Sequence, residues 1–170
     1  MSTSEILTLL SIIVSGSLNI ALATYAWIRR EVRGAEAFVA MMALSCWLSL
    51  AVLARALSPT AAAAHTWFRL SVFAVAFAPV AWLVFALHYA ESAAWLTVER
   101  MTWFLIIPVL TQAVIWTNGI HHLWTSEPVG FVRENILWKP VTIGAQYGAW
   151  FWVHTVYSYG LMIIAGVIMV

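Results

Sequence analysis

Five apolar stretches take up most of this 170-residue sequence, and each is close to the length that crosses a bilayer. A hydrocarbon core of ~30 Å is crossed by about 20 helical residues that rise ~1.5 Å each. Helices of soluble proteins keep a polar face toward water, and so many apolar runs do not suit a soluble fold. The sequence therefore predicts an all-α, polytopic transmembrane bundle with spanning helices at approximately Ile6–Ile28, Ala37–Leu57, Phe68–His88, Thr102–Trp116 and Ala149–Val170. The fourth helix reaches full length only if it continues toward His121.

The composition agrees with a membrane protein and excludes other classes. Apolar residues make up 64% and charged residues 9% of the chain, against about 45–50% and about 25% in soluble domains. The eight basic residues form no stripe that would bind nucleic acid. Cys46 is the only cysteine, so the chain forms no internal disulfide. We expect residues 1–170 to form one transmembrane domain, because no stretch is left for a separate soluble one.

Basic residues predict the orientation in the membrane. Arg29, Arg30 and Arg33 are concentrated in the short link after the first helix. Arginines that flank membrane helices favour the cytoplasmic side, which places this link inside and the N-terminus outside. Alternation of the helices then places the links at 58–67 and 117–148 outside.

Small polar residues and prolines inside the helices predict how the helices pack. Ser11, Ser15 and Asn19 recur every four residues on one face of the first helix, with Gly16 beside them, and Ser45 and Ser49 do the same on the second. In membranes such residues favour contacts between helices, where backbones approach closely. Pro79 and Pro108 each remove a backbone hydrogen bond from their helix, and we expect a local bend at both.

The link at 117–148 is the longest polar segment and is predicted to be folded. Its stretch Phe131–Ile143 is rich in aromatic and β-branched residues and predicts a β-hairpin, with Glu134-Asn135 as its turn. Pro140 restricts the second strand to an edge position. A loop of this length and aromatic content is typical of a functional lid.

Histidines leave a metal or haem site open as an alternative. Imidazole and carboxylate groups of His121, His122, Glu127 and His154 have the chemistry to bind zinc or copper. However, adjacent histidines point in different directions, and no HxxxH or HxH spacing is present. Haem needs two axial histidines at one depth, whereas His88 and His154 are predicted at opposite sides of the membrane. We therefore predict no metal and no cofactor.

One face of the fifth helix carries the strongest candidate site. Its residues recur at helical spacing: Trp150, His154, Tyr157, Ser158 and Leu161. An ionisable side chain within a membrane span is costly unless it is satisfied, and it is a functional candidate by default. The alternative is that His154 only forms a hydrogen bond to a neighbouring helix. Mid-membrane residues that would complete the same pocket are Asn19 and Gln112.

Two arginines near the outer rim are candidates for an anionic ligand. Arg55 ends the second helix and Arg69 begins the third, and guanidinium groups bind carboxylate or phosphate in a bidentate manner. The alternative is that both side chains extend to the lipid headgroups. The residues predicted to contact a ligand are His154, Tyr157, Trp150, Arg69, Arg55, His121, His122 and Trp124.

The order of these motifs resembles that of a known family, the N-terminal seven-helix membrane region of bacterial and archaeal sensor histidine kinases. The segments that carry the resemblance are Tyr25–Arg30 (YAWIRR), Gly34–Phe38 (GAEAF), Ala78–Leu87 (APVAWLVFAL), Thr117-Asn118 with His121–Trp124 (HHLW), and Gly148–Tyr159 (GAWFWVHTVYSY). The family region has seven helices, and this sequence predicts five. It also contains no phosphoacceptor helix and no ATP-binding segment.

The resemblance implies a non-enzymatic sensor module in the cell membrane. Its partners would be the lipid bilayer, a small ligand and a cytoplasmic histidine kinase or similar output domain, in the same or another chain. A second copy of the chain, in a homodimer, is a further partner to be considered. We expect a ligand to bind between the outer lid and the outer halves of helices three to five, where it would bias the packing of the fifth helix. Two alternatives stay open: a redox or transport protein that holds a cofactor or ion through histidines, and an assembly subunit of a larger complex.

Overall fold

The computed structural model describes residues 2–126, 129–141 and 146–170. Its elements are α1 (Thr3–Ile28), α2 (Ala35–Ala56), α3 (Ala61–Tyr89), a short 3₁₀ turn (Ala93–Trp95), α4 (Val98–His121), β1 (Gly130–Glu134), β2 (Leu137–Val141) and α5 (Ala149–Ile168). All five α-helices are long and apolar enough to cross a membrane. The predicted all-α fold with five spanning helices is thus confirmed, and the protein is a multi-pass membrane protein.

The helices α3 and α4 begin earlier than their apolar stretches do, and a polar cap residue precedes each of them. Thr60 accepts a hydrogen bond from the Ala63 amide and starts α3 well before Phe68. Thr97 does the same for the Arg100 amide and starts α4. A cap satisfies a backbone amide that has no partner within the helix. With this extension the fourth helix has 24 residues and spans easily.

The helix α3 is the centre of the bundle and contacts α2, α4 and α5. Its packing against α5 forms the buried core, which consists of Val80, Leu83, Ala86, Leu87, Leu161 and Ala165. The alanines in this set let the two backbones approach closely, as small residues do in membrane bundles.

The outermost helix, α1, packs along α2, but not through the α1 serines that the sequence suggested. Ser11 and Ser15 are exposed, and the Ser11 hydroxyl donates to the Thr8 carbonyl of its own helix. The contact passes through Gly16, where a Cβ would lie 3.5 Å from Ser49 Cβ of α2. Of the residues expected to pack between the helices, Gly16 and Ser49 therefore do so, whereas Ser11 and Ser15 do not.

The described links alternate between the two ends of the bundle, as five spanning helices require. At one end, Arg33 of the first link forms an exposed ion pair with Glu91 of the link after α3. At the other end, the hairpin β1–β2 contacts the start of α1 and the link between α2 and α3. We call these the arginine end and the hairpin end.

The predicted hairpin is confirmed, with its turn one residue later than expected. The strands pair antiparallel from Gly130–Val141 to Glu134–Leu137, so the two turn residues are Asn135 and Ile136. Asn135 has a φ of 51°, in the left-handed region that asparagine tolerates better than most residues. The predicted end of the hairpin at Ile143 lies outside the described residues.

Three contacts fasten the hairpin to the bundle. The carboxylate of Glu5, which is 1% exposed, accepts hydrogen bonds from the amides of Ser2 (2.8 Å) and Ile136 (3.2 Å). The Trp138 indole donates to the Ser58 carbonyl over 2.7 Å. The Phe131 ring packs against aromatic rings of α3, from His65 and Phe68. The hairpin is thus a fixed cap on the ends of α1, α2 and α3.

Candidate functional site

The polar stripe of α5 lies against α4, and its main partner there is a buried threonine. Thr111 is completely buried, and His154 is 5% exposed. The Thr111 hydroxyl lies 3.2 Å from His154 Nδ1 and 3.0 Å from Trp150 Nε1. Two of the predicted site residues therefore meet at one hydroxyl group that joins α4 to α5.

The Thr111 hydroxyl allows two arrangements of protons around His154. Its single proton can go to the Ile107 carbonyl, 2.8 Å away, or to His154 Nδ1. In the first arrangement His154 Nδ1 carries a proton and donates to Thr111, and in the second Nδ1 accepts. On the other side of the ring, His154 Nε2 lies 3.3 Å from the Ser158 hydroxyl, which can donate to it or accept from it accordingly.

A second hydrogen bond between α4 and α5 lies one turn further along α5. The Tyr157 hydroxyl donates to the Phe104 carbonyl. In an unbroken helix that carbonyl would accept from the amide four residues later, which here belongs to Pro108 and carries no hydrogen. The tyrosine thus satisfies a carbonyl that the proline leaves without its usual partner.

A cavity of about 620 Å³ lies on the other side of His154, between α2, α3 and α5. Its wall consists of Met41, Leu44, Ser45, Leu48, Ala74, Val75, Ala78, Pro79, Trp82, Trp124, Phe151, His154, Thr155, Ser158, Tyr159 and Met162. Among these residues the side chains are mostly apolar and none carries a formal charge. The volume falls within the ~300–1,000 Å³ typical of small-molecule sites. No residue of α4 or of the hairpin lines it.

Trp124 forms part of this wall and packs over the start of α5. Its ring contacts Phe151 at 5.2 Å and His154 at 5.9 Å between centroids. The Asn118 side chain accepts from the Trp124 amide over 2.8 Å and also bonds to Thr125. Trp124 is therefore held from α4 as well as from α5.

The segment around Trp124 pairs closely with the chain that leads into α5. The Gly148 amide donates to the Trp124 carbonyl over 2.9 Å, and the Trp150 amide donates to the Leu123 carbonyl over 3.0 Å. A Cβ on Gly148 would lie 2.2 Å from the Leu123 oxygen. Only glycine fits at this position, because the two backbones touch.

The two candidate arginines lie away from the cavity. Arg69 lines a small crevice of about 60 Å³ with His65, Asn118 and the other face of Trp124, and its guanidinium lies 5.3 Å from the centre of the Trp116 ring. Arg55 lies in the last turn of α2 and lines neither space. The structure brings Arg69 to Trp124 but leaves Arg55 apart from both.

The neighbouring histidines of the long link are engaged locally. His121 Nε2 lies 2.9 Å from the Thr117 hydroxyl, and its Nδ1 accepts from the Leu123 amide over 3.0 Å. His122 directly follows the last residue of α4, has a φ of 54° and is exposed. Within residues 2–126, 129–141 and 146–170, no three His, Cys, Asp or Glu side chains are grouped as metal ligands. The candidate ligand Glu127 lies outside these ranges.

The remaining polar residues differ from the expected pocket. Asn19 lies on α1, and neither it nor Gln112 lines the cavity. The partner of His154 is instead Thr111, the residue next to Gln112. Thr111 gave little signal in the sequence, because threonines inside helices usually bond to their own backbone.

Comparison with known proteins identifies the family to which the chain belongs. Residues 11–170 match the family described as the N-terminal 7TM region of histidine kinase. No curated protein and no solved structure matches the chain. The match covers almost the entire sequence and agrees with five membrane-spanning helices in the described residues. This region is a non-catalytic sensor input in the membrane, and the chain belongs to the family of N-terminal 7TM regions of histidine kinases.

Proposed function

We propose that this protein senses a small molecule in the cavity between α2, α3 and α5 and relays its presence through the packing of α5 against α4 to a cytoplasmic histidine kinase. The observation that carries the proposal is the position of His154. One ring nitrogen is tied to Thr111 of α4, while the same ring lines the cavity. A ligand in the cavity would therefore contact His154, the same side chain that forms a hydrogen bond between α5 and α4.

The contacts between α4 and α5 are suited to a switch. Besides the core near Leu161, the described residues tie the two helices through Thr111 and through the Phe104 carbonyl. Hydrogen bonds of this kind in membrane bundles contribute on average about 0.6 kcal/mol and up to about 1.7 kcal/mol. A ligand shifts such an equilibrium through a difference in affinity for the two packings.

The proposed ligand-contacting residues are His154 and Trp124, which line the cavity, with Ser158 added from the structure. Trp150 and Tyr157 act as the ties to α4. Arg69, Arg55, His121 and His122 have no part in this mechanism, since none of them lines the cavity.

The relay is tested by removing one hydrogen bond between α4 and α5 without changing a residue of the cavity wall. In the full-length protein, Tyr157→Phe deletes the hydroxyl that bonds to Phe104, and we expect kinase autophosphorylation to shift by about three- to eighteenfold, as the energy of one such bond implies. The matched control is Tyr25→Phe, which deletes a hydroxyl from an exposed tyrosine of α1 and should leave the output unchanged.

Membrane abundance is measured in the same cells, so that a loss of protein is not mistaken for a change in output. If Tyr157→Phe protein is as abundant and as active as the unmodified protein, the packing of α5 on α4 does not set the output.

A further inference from the structure

Two adjacent polar atoms give the mostly apolar cavity a site for a hydrogen-bonding group. His154 Nε2 and Ser158 Oγ lie 3.3 Å apart, and both residues line the cavity. An imidazolium here would have no carboxylate to pair with in the cavity wall. In the neutral ring, Nε2 accepts a hydrogen bond when Nδ1 donates to Thr111, and it donates one when Nδ1 accepts from Thr111.

The Ser158 hydroxyl is the hydrogen-bond partner of His154 Nε2 in this pair. A hydroxyl group has one donor proton and two acceptor lone pairs, so Ser158 satisfies His154 when the cavity holds no partner for it. A ligand hydroxyl at the same point both donates and accepts, so it bonds to His154 Nε2 and to Ser158 Oγ in either tautomer of the histidine. An ether or ketone only accepts, so it can bond to only one of the two groups, which then gives up its bond to the other.

We propose that the cavity between α2, α3 and α5 binds an uncharged, apolar molecule that carries a hydroxyl group, and that His154 and Ser158 hold this hydroxyl between them. The inference rests on the sensing role proposed above and names the class of molecule that is sensed. Charged ligands are excluded because no side chain in the cavity wall carries a formal charge to pair with them.

Photolabelling of the purified full-length protein tests this class. The probes are a long-chain primary alkanol with a diazirine in its chain, the methyl ether of the same compound, and the matching alkane. Labelling of the cavity residues is quantified by mass spectrometry. We expect the alkanol to label about three- to eighteenfold more than the ether at equal concentration, the ratio set by one hydrogen bond in a membrane protein.

Two variants locate the effect within the cavity. His154→Phe removes Nε2 and leaves only Ser158 of this pair, whose hydroxyl donates to an alcohol and to an ether alike, so the alkanol-to-ether ratio should fall toward one. Ser45→Ala removes a hydroxyl from the α2 wall of the same cavity and should leave the ratio unchanged. Equal labelling by alkanol, ether and alkane would show that the cavity accepts any apolar chain, such as a lipid tail, and would overturn the inference. An equal loss of preference in both variants would also overturn it.

The outcomes separate this inference from the sensing role. Preferential labelling by the alkanol, together with unchanged autophosphorylation in Tyr157→Phe, supports the ligand class and contradicts sensing. An output that responds to Tyr157→Phe, with no preference among the probes, supports sensing and contradicts the ligand class.

Discussion

Tyr157 of α5 donates its hydroxyl proton to the Phe104 carbonyl of α4. Pro108, four residues later in α4, has no amide hydrogen to donate to this carbonyl. A proline within a membrane helix is tolerated where a neighbouring helix satisfies the backbone group that it leaves exposed. The proline and the tyrosine are therefore two parts of one contact, although they lie on different helices.

This relationship predicts that the two residues are energetically coupled. Tyr157→Phe should lower the stability by about 0.6–1.7 kcal/mol, the range for hydrogen bonds in membrane bundles. In a Pro108→Ala background the cost should be smaller, because the Ala amide restores the helical donor to the Phe104 carbonyl. A double-mutant cycle of unfolding free energies in detergent measures the coupling. The same cost in both backgrounds would contradict the pairing.

Glu5 is predicted to hold the hairpin onto the bundle. Glu5→Ala removes the acceptor of the Ile136 amide, so hydrogen exchange at this amide should become faster and the hairpin more sensitive to protease. The matched control, Glu134→Ala, removes a carboxylate from the hairpin itself, where it forms an exposed ion pair with Lys139. Exposed pairs contribute little, so this variant should retain protection. Unchanged exchange in Glu5→Ala would argue against the tether.

Gly148 is predicted to tolerate no side chain. Gly148→Ala would place a Cβ 2.2 Å from the Leu123 oxygen, which forces the two paired backbones apart and displaces Trp124. Overpacking of this kind costs about 1–3 kcal/mol. Gly119→Ala on α4 is the control, since its Cβ would meet nothing within 4 Å and alanine favours a helix. Thermal unfolding of both variants measures the difference, and equal stability would contradict the close approach.

The orientation is tested by cysteine accessibility in intact cells with Cys46 replaced. Arg33→Cys lies at the arginine end and should resist a membrane-impermeant thiol reagent, because arginine-rich links favour the cytoplasm. Gly130→Cys lies in the hairpin at the opposite end and should react. The reverse pattern would place the hairpin in the cytoplasm.

Local sequence patterns predicted the elements of the fold well. The five helices follow from apolar length, and the hairpin follows from its β-branched and aromatic residues between turn signals. Errors at helix starts came from counting apolar residues alone, because Thr60 and Thr97 begin α3 and α4 as polar caps. Such errors concern ends and leave the number of elements unchanged.

The partners of the candidate site could not be predicted in the same way. The stripe of Trp150, His154 and Tyr157 was visible as a helical periodicity, but periodicity does not say which helix lies opposite. The structure places α4 there, with the Thr111 hydroxyl as the shared hydrogen-bond partner. Likewise, Ser2 and Glu5 form a capping box that is recognisable in sequence, whereas the bond from Ile136 to Glu5 joins residues far apart in the chain. Long-range contacts of this kind depend on the packed bundle.

Filling the cavity is the most direct test of the claim that this region senses a molecule between α2, α3 and α5. Ala78 lines the cavity, and Ala78→Leu adds three carbon atoms to its wall. In the full-length protein we predict a change of several-fold in kinase autophosphorylation at unchanged membrane abundance, because the added volume either mimics or blocks the ligand. Ala21→Leu makes the same change at an exposed position of α1 and should have no effect. Equal autophosphorylation in Ala78→Leu, Ala21→Leu and the unmodified protein would contradict the account.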